Sequence, residues 1–319
     1  MSGAVLLVDG GQSECRTVVV EGDRVRATRT LPGLSYDGDA GGVATVRRLV
    51  SEIAGAIGAA VPVGGLAEAW LGLSGMPRDE ESRAVICRFV MDTLGTGVVA
   101  VCSDLVPAYV GALGLGPGGV ISVGSGAVAL AVSAGGNVAK AGNHGALLGD
   151  QGSAYWTGRA GLRAAVRASD SWGEPTALVE AAHQAYGALA SVHGLVRGSA
   201  NPVNEVARFA PYVCKVADEG DVVATNIVRR AGALLAEMLA AATREVMGNE
   251  LRGAKLSWNG RFLAPGGLLM HSFEKELADR LGGGILLAAP RGSALDGLHE
   301  MAGSASLGVI GQAVHIEKG

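Results

Sequence analysis

The sequence predicts an α/β protein with two domains, and three observations support this prediction. The chain has 319 residues, which is more than one ordinary hydrophobic core accommodates. Short apolar runs that are typical of buried strands alternate with segments in which apolar residues recur at helical spacing. A strand–turn–strand unit opens the chain, and a second such unit begins near residue 120, which indicates an internal duplication of the architecture.

The first half begins with three strands, and the second and third are joined by the hairpin signal Gly22-Asp23. A hairpin followed by alternating helices and strands is typical of a mixed sheet covered by helices. In order, the predicted elements are strands at 4–8, 15–21 and 24–30, a helix at 43–59, a strand at 69–73, a helix at 79–94, a strand at 98–102 and a helix that Ser103-Asp104 opens.

The second half follows a glycine cluster at residues 114–119 and is mostly helical. Its predicted elements are strands at 120–123, 127–132 and 137–141, helices up to Gly248, a strand at 255–258, a helix at 267–281, a strand at 285–288 and a helix from near Ser293. We therefore expect an N-terminal lobe at 1–115 and a C-terminal lobe at 116–294. A final helix at 295–319 is expected to pack on the N-terminal lobe.

Composition excludes several classes of function. Hydrophobic residues make up 49% of the chain and charged residues 18%, which fits a globular protein and not a disordered one. The formal net charge of −4 gives no basic footprint for nucleic acid or an anionic membrane. No apolar run reaches the roughly 20 residues needed to cross a bilayer, and the first residues do not resemble a signal peptide, so we expect a cytoplasmic protein.

The sequence lacks the signatures of three common kinds of site. The four cysteines, Cys15, Cys87, Cys102 and Cys214, are scattered without a CxxC pair, so we expect buried apolar residues and neither disulfides nor a zinc site. The phosphate-binding sequence GxxxxGK[ST] does not occur. The glycine run at 114–119 precedes a strand, whereas a dinucleotide-binding loop precedes a helix.

A candidate phosphate-binding loop, Asp9-Gly10-Gly11-Gln12-Ser13, follows the first strand. Glycines allow backbone amides to approach phosphate oxygens, and Ser13 can donate a hydrogen bond. Asp9 would face a Mg²⁺ ion through water, because this ion retains most of its hydration. The alternative is a plain hairpin turn capped by Asp9.

A second glycine–serine turn, Gly124-Ser125-Gly126, lies between the strands at 120–123 and 127–132. It is either an ordinary turn or the second half of a phosphate clamp. The pairing favours the clamp, because each of the two loops opens one half of a duplicated chain.

Ser103-Asp104 places a carboxylate at the C-terminal end of a predicted strand, where α/β proteins bind their ligands. There Asp104 could accept a proton from a hydroxyl group, with the dipole of the following helix keeping the carboxylate ionised. An N-cap role for the same residue is the alternative, and the two roles are compatible.

Two further segments are candidates for ligand binding. Residues 149–156, with Asp150 among them, precede an amphipathic helix whose N-terminus could bind an anion or a sugar hydroxyl, or could simply be capped. Residues 258–261, which include Asn259 and Gly260, follow a strand. The glycine would let adenine and ribose lie on the backbone, unless the segment is only a turn.

In this set of motifs the sequence resembles the BadF/BadG/BcrA/BcrD ATPases, the family that includes N-acetylglucosamine kinase. The match spans nearly the whole chain, and its most specific part is Gly-Asp-x-Gly-Ser-Ala-Tyr-Trp at residues 149–156. The resemblance implies a two-domain actin/hexokinase-like (ribonuclease H-like) α/β fold that binds ATP and Mg²⁺ in a cleft between its lobes. It also implies that Asp104 accepts the proton of a sugar hydroxyl and that Asp150 binds a sugar hydroxyl.

The predicted site can now be grouped by ligand. Catalysis is assigned to Asp104 and the metal to Asp9. The nucleotide contacts are assigned to Asp9, Gly10, Gly11, Gln12, Ser13, Gly124, Ser125, Gly126, Asn259 and Gly260. The substrate contacts are assigned to Asp37, Ser74, Asp104, His144 and Asp150.

Several positions depart from the pattern of the sugar kinase. The second phosphate loop of that kinase reads Gly-Thr-Gly-Ser-Asn, and Ala127 and Val128 here take the place of its last two residues. The Glu beside the sugar-binding Asp is Gln151, a Trp is replaced by His144, and an Asn that contacts sugar falls at Asp37. The catalytic base is therefore retained while the acceptor site is altered.

The expected function is ATP-dependent phosphorylation of a hydroxyl group of N-acetylglucosamine or a related amino sugar. Two alternatives stay open: a non-kinase ATPase that drives a partner protein, and a ligand-binding family member without turnover. Asp104 favours the kinase, because only hydroxyl phosphorylation needs that base. The dehydratase activators of the family hold an iron–sulfur cluster with cysteines, and no cysteine here lies in a comparable loop. A small sugar is the expected partner, and a homodimer is left open.

Overall fold

Each of two units of the chain is built around one mixed β-sheet. The computed structural model describes residues 3–12, 14–22, 24–34, 42–58, 61, 64–77, 79–248, 251–282 and 284–319. The first unit comprises residues 1–117, 134–137 and 289–319, and the second comprises residues 118–133 and 138–288. The sequence predicts an ATPase role for the lobe at 1–115 and ligand contacts for the lobe at 116–294, and both stay predictions.

In the first unit, the opening strand has an antiparallel hairpin on one side and parallel strands on the other. The elements are β1 (Ala4–Gly10), β2 (Glu14–Glu21), β3 (Arg24–Pro32), α1 (Val43–Ile57), β4 (Leu66–Leu73), α2 (Glu80–Leu94), β5 (Val98–Ser103) and α3 (Leu105–Leu113). β1 pairs antiparallel with β2 and parallel with β4, and β4 pairs parallel with β5. Apolar side chains of α1 and α2 pack on this sheet and form the core.

The second unit repeats this arrangement. Its elements are β6 (Gly118–Val123), β7 (Ala127–Val132), β8 (Val138–Gly142), α4 (Gly145–Leu148), α5 (Ala154–Ser169), α6 (Leu178–Tyr186), a 3₁₀ turn (Leu189–Ser191), α7 (Val192–Gly198), α8 (Pro202–Ala207), α9 (Ala210–Asp218), α10 (Val222–Met247), β9 (Lys255–Asn259), α11 (Leu268–Leu281) and β10 (Leu286–Leu287). β6 pairs antiparallel with β7 and parallel with β9. The predicted duplication of architecture is therefore confirmed.

The helix α10 carries the core of the second unit. Its buried face packs against β6, β7 and the helices around it, with Leu235 and Leu239 fully buried. The side chain of Asp221 caps its N-terminus by accepting a hydrogen bond from the amide of Ala224. Neither α10 nor any other helix in the described part of the chain has a stretch long and apolar enough to span a membrane.

The predicted final helix at 295–319 is wrong in its second part. The helix α12 (Ala294–Gly303) ends at a glycine, a 3₁₀ turn follows (Gly308–Ala313), and β11 (Val314–Lys318) then pairs antiparallel with β5. Residues 314–317 read Val-His-Ile-Glu, an alternation that suits a half-buried strand. The otherwise unpaired edge of β5 supplies the hydrogen bonds for this strand.

Two glycines allow the backbones of α12 and α3 to pack directly against each other. A β-carbon at Gly297 would lie 2.1 Å from the carbonyl oxygen of Pro107, and one at Gly111 would lie 2.0 Å from the carbonyl oxygen of Ser293. Neither contact can relax by rotation of a side chain, since the crowded atoms belong to the backbone. The position of α12 in the first unit therefore depends on these two glycines.

Replacing Gly297 should separate α12 from α3. We expect Gly297→Ala to lower the free energy of unfolding by about 1–3 kcal/mol, because the added methyl group overpacks a backbone contact. The matched control is Gly55→Ala in α1, where no atom lies within 4 Å of the added carbon. That control should stabilise the chain by about 0.5–1 kcal/mol through helix propensity. Urea unfolding measures both, and equal stabilisation by the two substitutions would contradict the packing argument.

Candidate functional site

The carboxyl ends of β1, β4 and β5 meet at one edge of the first sheet. In the parallel register, Gly10 pairs with Leu73, and Leu73 pairs with Ser103. The amide of Ser74 donates to the carbonyl of Gly10 at 2.7 Å, and the amide of Asp104 donates to the carbonyl of Leu73 at 3.3 Å. Asp9, Ser74 and Asp104, which the sequence assigned to one site, thus follow or end neighbouring strands at the edge where α/β proteins bind ligands.

Asp9 forms an ion pair with Arg16 across the hairpin of β1 and β2. The two residues are direct partners in the antiparallel register, and Nη2 of Arg16 lies 2.5 Å from Oδ2 of Asp9. Burial raises the pKa of the Asp9 carboxyl, and the Arg16 guanidinium offsets part of this rise. Sequence reasoning missed Arg16, although the hairpin register places it opposite Asp9.

The glycines of the first loop serve the local packing. A β-carbon at Gly10 would lie 2.6 Å from Cδ2 of Leu73, so this position needs a glycine to fit beside β4. The amide of Gly11 donates to the carbonyl of Glu14 at 3.0 Å and is therefore used within the hairpin. Gln12 lies exposed in the turn, and Ser13 lies outside the described residues.

Asp104 occupies the N-cap position immediately before α3 and is half-buried. Its side chain makes no capping hydrogen bond to the helix, and its Oδ1 accepts a hydrogen bond from the Ser103 hydroxyl at 3.2 Å. The close approach of α3 to β4 requires Gly72, where a β-carbon would lie 2.5 Å from Cγ of Pro107. The N-cap alternative therefore does not account for the carboxylate.

In the second unit, the turn between β6 and β7 packs on the N-terminus of α5. The amides of Ala154 and Tyr155 donate to the carbonyls of Gly124 and Ser125 at 3.0 and 3.2 Å. The amide of Trp156 donates to the hydroxyl of Ser153, the N-cap residue of α5. Because these first amides of α5 already have protein partners, the helix N-terminus supports the turn and does not present these donors to an anion.

Asp150, in the loop before α5, contacts the same turn. Its backbone has a φ of 59°, its side chain is buried, and its Oδ1 accepts a hydrogen bond from the amide of Ala127 at 3.3 Å. A β-carbon at Gly126 would lie 2.8 Å from Oδ1 of Asp150, so the glycine leaves room for the carboxylate. Burial raises the pKa of Asp150, and the Ala127 hydrogen bond opposes this rise.

His144 is exposed and lies at the start of the short helix α4. A β-carbon at Gly149 would lie 3.0 Å from Cβ of His144, so the structure places this histidine against the residue that precedes Asp150. The neighbouring Gln151 is also exposed and donates to the carbonyl of Leu148 at 3.2 Å. Asp37, the remaining predicted substrate residue, lies outside the described residues.

Asn259 ends β9 and Gly260 follows it, and both lie beside the end of β6. A β-carbon at Gly260, whose φ is 92°, would lie 2.2 Å from the carbonyl oxygen of Val123. Nδ2 of Asn259 is buried and has no hydrogen-bond partner within the described part of the chain. A buried amide donor of this kind fits a ligand that offers an acceptor atom, as a nucleotide does.

A surface groove of about 530 Å³ adjoins this segment. Its volume lies in the range of small-molecule sites. Sequence reasoning missed most of its lining, because α9 supplies that lining through residues that carry no motif. The lining residues are Pro211, Cys214, Lys215, Asp218, Glu219, Arg261 and Phe262.

The chain resembles solved kinase structures at low sequence identity. One is the provisionally named N-acetylglucosamine kinase of Chromobacterium violaceum, with 22% identity, a TM-score of 0.70 and coverage of 93% of this chain and 97% of that chain. The provisionally named N-acetylglucosamine kinase of Porphyromonas gingivalis has 17% identity, a TM-score of 0.70 and coverage of 93% and 99%. The hexokinase of Schistosoma mansoni complexed with glucose has 11% identity, a TM-score of 0.55 and coverage of 94% and 85%.

These structures confirm the predicted fold class, an actin/hexokinase-like α/β fold. No curated protein matches the chain. A profile of the BadF/BadG/BcrA/BcrD ATPase family matches residues 8–271, which is most of the sequence. The chain therefore belongs to the BadF/BadG/BcrA/BcrD ATPase family.

Proposed function

We propose that the chain is an ATP-dependent kinase that phosphorylates a hydroxyl group of N-acetylglucosamine or a related amino sugar. The observation that carries this proposal is the convergence of Asp9, Ser74 and Asp104 at the carboxyl edge of three parallel strands. Membership in an ATPase family implies the use of ATP, and the N-acetylglucosamine kinases named above share the fold.

Asp104 is proposed as the general base. Its half-buried carboxylate can accept the proton of the acceptor hydroxyl as the oxygen attacks phosphorus. Asp9 offers carboxylate oxygens at the same edge of the sheet, and these are the donors that Mg²⁺ prefers. When bound, ATP with Mg²⁺ supplies the phosphoryl group and neutralises its charge.

The second unit is proposed to bind the nucleotide through Gly124, Ser125, Gly126, Asn259 and Gly260. The orphan amide of Asn259 and the adjoining groove support an adenosine contact at the end of β9. The turn between β6 and β7 is held by α5, so its geometry is set before any ligand binds.

Asp150 and His144 are proposed to contact the acceptor, together with Ser74 and Asp37. A buried carboxylate such as Asp150 accepts hydrogen bonds from sugar hydroxyl groups, or from the ammonium group of a free amino sugar. Ala127 replaces a residue of the sugar kinase's second phosphate loop. This replacement still allows the hydrogen bond to Asp150, because the donor is the backbone amide of Ala127.

The alternative of an iron–sulfur ATPase receives no support from the cysteines in the described part of the chain. Cys15, Cys87 and Cys102 are buried, and Cys214 is half-buried. A cluster shared between subunits requires exposed cysteine ligands.

Removing the proposed base should abolish most of the turnover and leave nucleotide binding intact. We expect Asp104→Asn to lower kcat by roughly 10²–10⁴-fold, which is the usual contribution of general-base catalysis. Calorimetric titration with ATP should show little change in affinity. Asp92→Asn, on the exposed face of α2, is the matched control and should retain full activity. Undiminished turnover in the Asp104 variant would refute the assignment.

The buried carboxylate of Asp150 should cost stability at neutral pH. Burial raises its pKa in the folded chain above the unfolded value, so the stability it contributes is present at acid pH and is lost as the pH rises through the folded-state pKa. Asp150→Asn removes this loss. We therefore expect the variant to be more stable than the wild type at pH 7.5, with the difference vanishing below about pH 4.

Urea unfolding at both pH values measures this effect, and kcat/KM for the sugar should fall in the same variant. Asp170→Asn, an exposed residue at the end of α5, is the control and should change neither quantity. Lower stability of the Asp150 variant at pH 7.5 would contradict the prediction.

The acceptor is tested by measuring kcat/KM for N-acetylglucosamine, glucosamine and glucose in parallel. We expect turnover of N-acetylglucosamine and competition by glucosamine, because Asp150 can pair with a protonated amine. Inert glucosamine beside rapid turnover of N-acetylglucosamine would exclude the amine contact. Inactivity with all three sugars would refute the proposed acceptor class.

A further inference from the structure

We propose that Cys87, His315 and Glu317 form a binding site for a divalent transition-metal ion, Zn²⁺ by the chemistry of its donors, between α2 and β11 of the first unit. One ligand atom from each of the three side chains lies within 4.8 Å of the other two. The site is separate from the residues assigned above to ATP, Mg²⁺ and the acceptor, and does not rest on the proposed function.

The fold brings these residues together from distant parts of the sequence. His315 and Glu317 are two residues apart on β11, so their side chains leave the same face of the strand. Cys87 lies on the buried side of α2, which packs against that face. Cysteine spacing predicts no zinc site, but a search for closely spaced ligands cannot detect a site whose parts meet only after β11 pairs with β5.

The distances suit one ion with small rotations of the side chains. Nε2 of His315 and Oε2 of Glu317 are 3.7 Å apart, which is longer than a hydrogen bond. In a tetrahedral Zn²⁺ site with bonds of about 2.0–2.2 Å, a nitrogen and an oxygen ligand are separated by roughly 3.3–3.6 Å. The pair is therefore close to this spacing and reaches it by a small rotation of either side chain.

Both atoms of this pair are buried and lack a hydrogen-bond partner among the residues that the structure describes. Buried polar atoms in folded proteins are nearly always paired, so two such atoms side by side call for a shared partner. A cation accepts the lone pair of the imidazole and neutralises the carboxylate. The other oxygen of Glu317 faces Arg88, 3.6 Å from Nη1, which helps to fix the orientation of the carboxylate.

The donor set selects the type of metal. Thiolate and imidazole are ligands of Zn²⁺, whereas Mg²⁺ prefers oxygen ligands throughout. Coordination replaces the thiol proton of Cys87, which is released to the solvent, and leaves a fourth position for water. The bound ion would join β11, the edge strand, to α2 and stabilise the unit by mass action.

The test uses the full chain, treated with a chelator and then titrated with Zn²⁺ or with Co²⁺ as a spectroscopic probe. We expect binding of one ion, a rise in Tm with Zn²⁺, and a thiolate-to-cobalt charge-transfer band in the near ultraviolet. Cys87→Ser should abolish the band, and His315→Gln should weaken Zn²⁺ binding by about 100-fold or more. His315 lies on an edge strand, so we expect His315→Gln to fold. This variant therefore still tests the site if the substitution of the buried Cys87 prevents folding.

The controls are Cys214→Ser and His271→Gln in the second unit, which should keep both the band and the rise in Tm. Absence of a thiolate band in the wild-type chain would overturn the proposal. A Zn²⁺-dependent rise in Tm that persists unchanged in His315→Gln would also overturn it, since the ion would then bind elsewhere. None of these measurements depends on kinase activity, so the metal site and the proposed function can fail separately.

Discussion

The parallel pairing of the opening strand of each unit is the constraint on which the candidate site depends. β1 has parallel neighbours on one side, and β6 is placed in the same way in the second unit. Parallel strands end at a common edge, so residues far apart in sequence arrive there together. This is why Asp9 and Asp104 meet at the edge of one sheet, and why Asn259 lies beside the turn that follows β6. The candidate residues are therefore spread over several loops that the sheets bring to common edges.

Close packing of backbones then fixes these loops. Gly72 admits α3 next to β4, Gly126 leaves space for the carboxylate of Asp150, and Gly260 lies against the carbonyl of Val123. The amides of α5 bind the carbonyls of the turn between β6 and β7. Gly126 and Gly260, which the sequence predicts as nucleotide-binding positions, thus let rigid elements approach one another. Preorganisation of this kind is what phosphoryl transfer requires from a protein.

Much of the fold could be predicted from local patterns, because periodicity records which face of an element is buried. The strands and helices from β1 to β8 and from β9 to α12 were expected close to their observed bounds, and so was the strand-end position of Asp104. The region between β8 and β9 was expected only to be mostly helical, without bounds for its helices. The long-range features could not be predicted. β11 forms only because β5 offers an open edge, and the partner of Asp9 follows from a hairpin register. The hydrogen bonds from the first amides of α5 to the turn between β6 and β7 are also tertiary contacts, which local patterns do not reveal.

Four aspartates of the chain show two contrasting kinds of surroundings. Hydrogen bonds from Ser82 lower the pKa of Asp79, and those from Ser293 lower the pKa of Asp296, as expected for residues that cap helices. Burial instead raises the pKa of Asp9 and of Asp150. Hydrogen bonds within the fold stabilise the ionised form of a capping carboxylate. A buried carboxylate with too few hydrogen-bond donors contributes less to the stability of the fold, and a ligand that supplies donors binds it more strongly. Asp150 is the clearer candidate for function of the two, because a hydroxyl group or an amine supplies the donors that the protein withholds, whereas Asp9 already has the positive charge of Arg16 beside it.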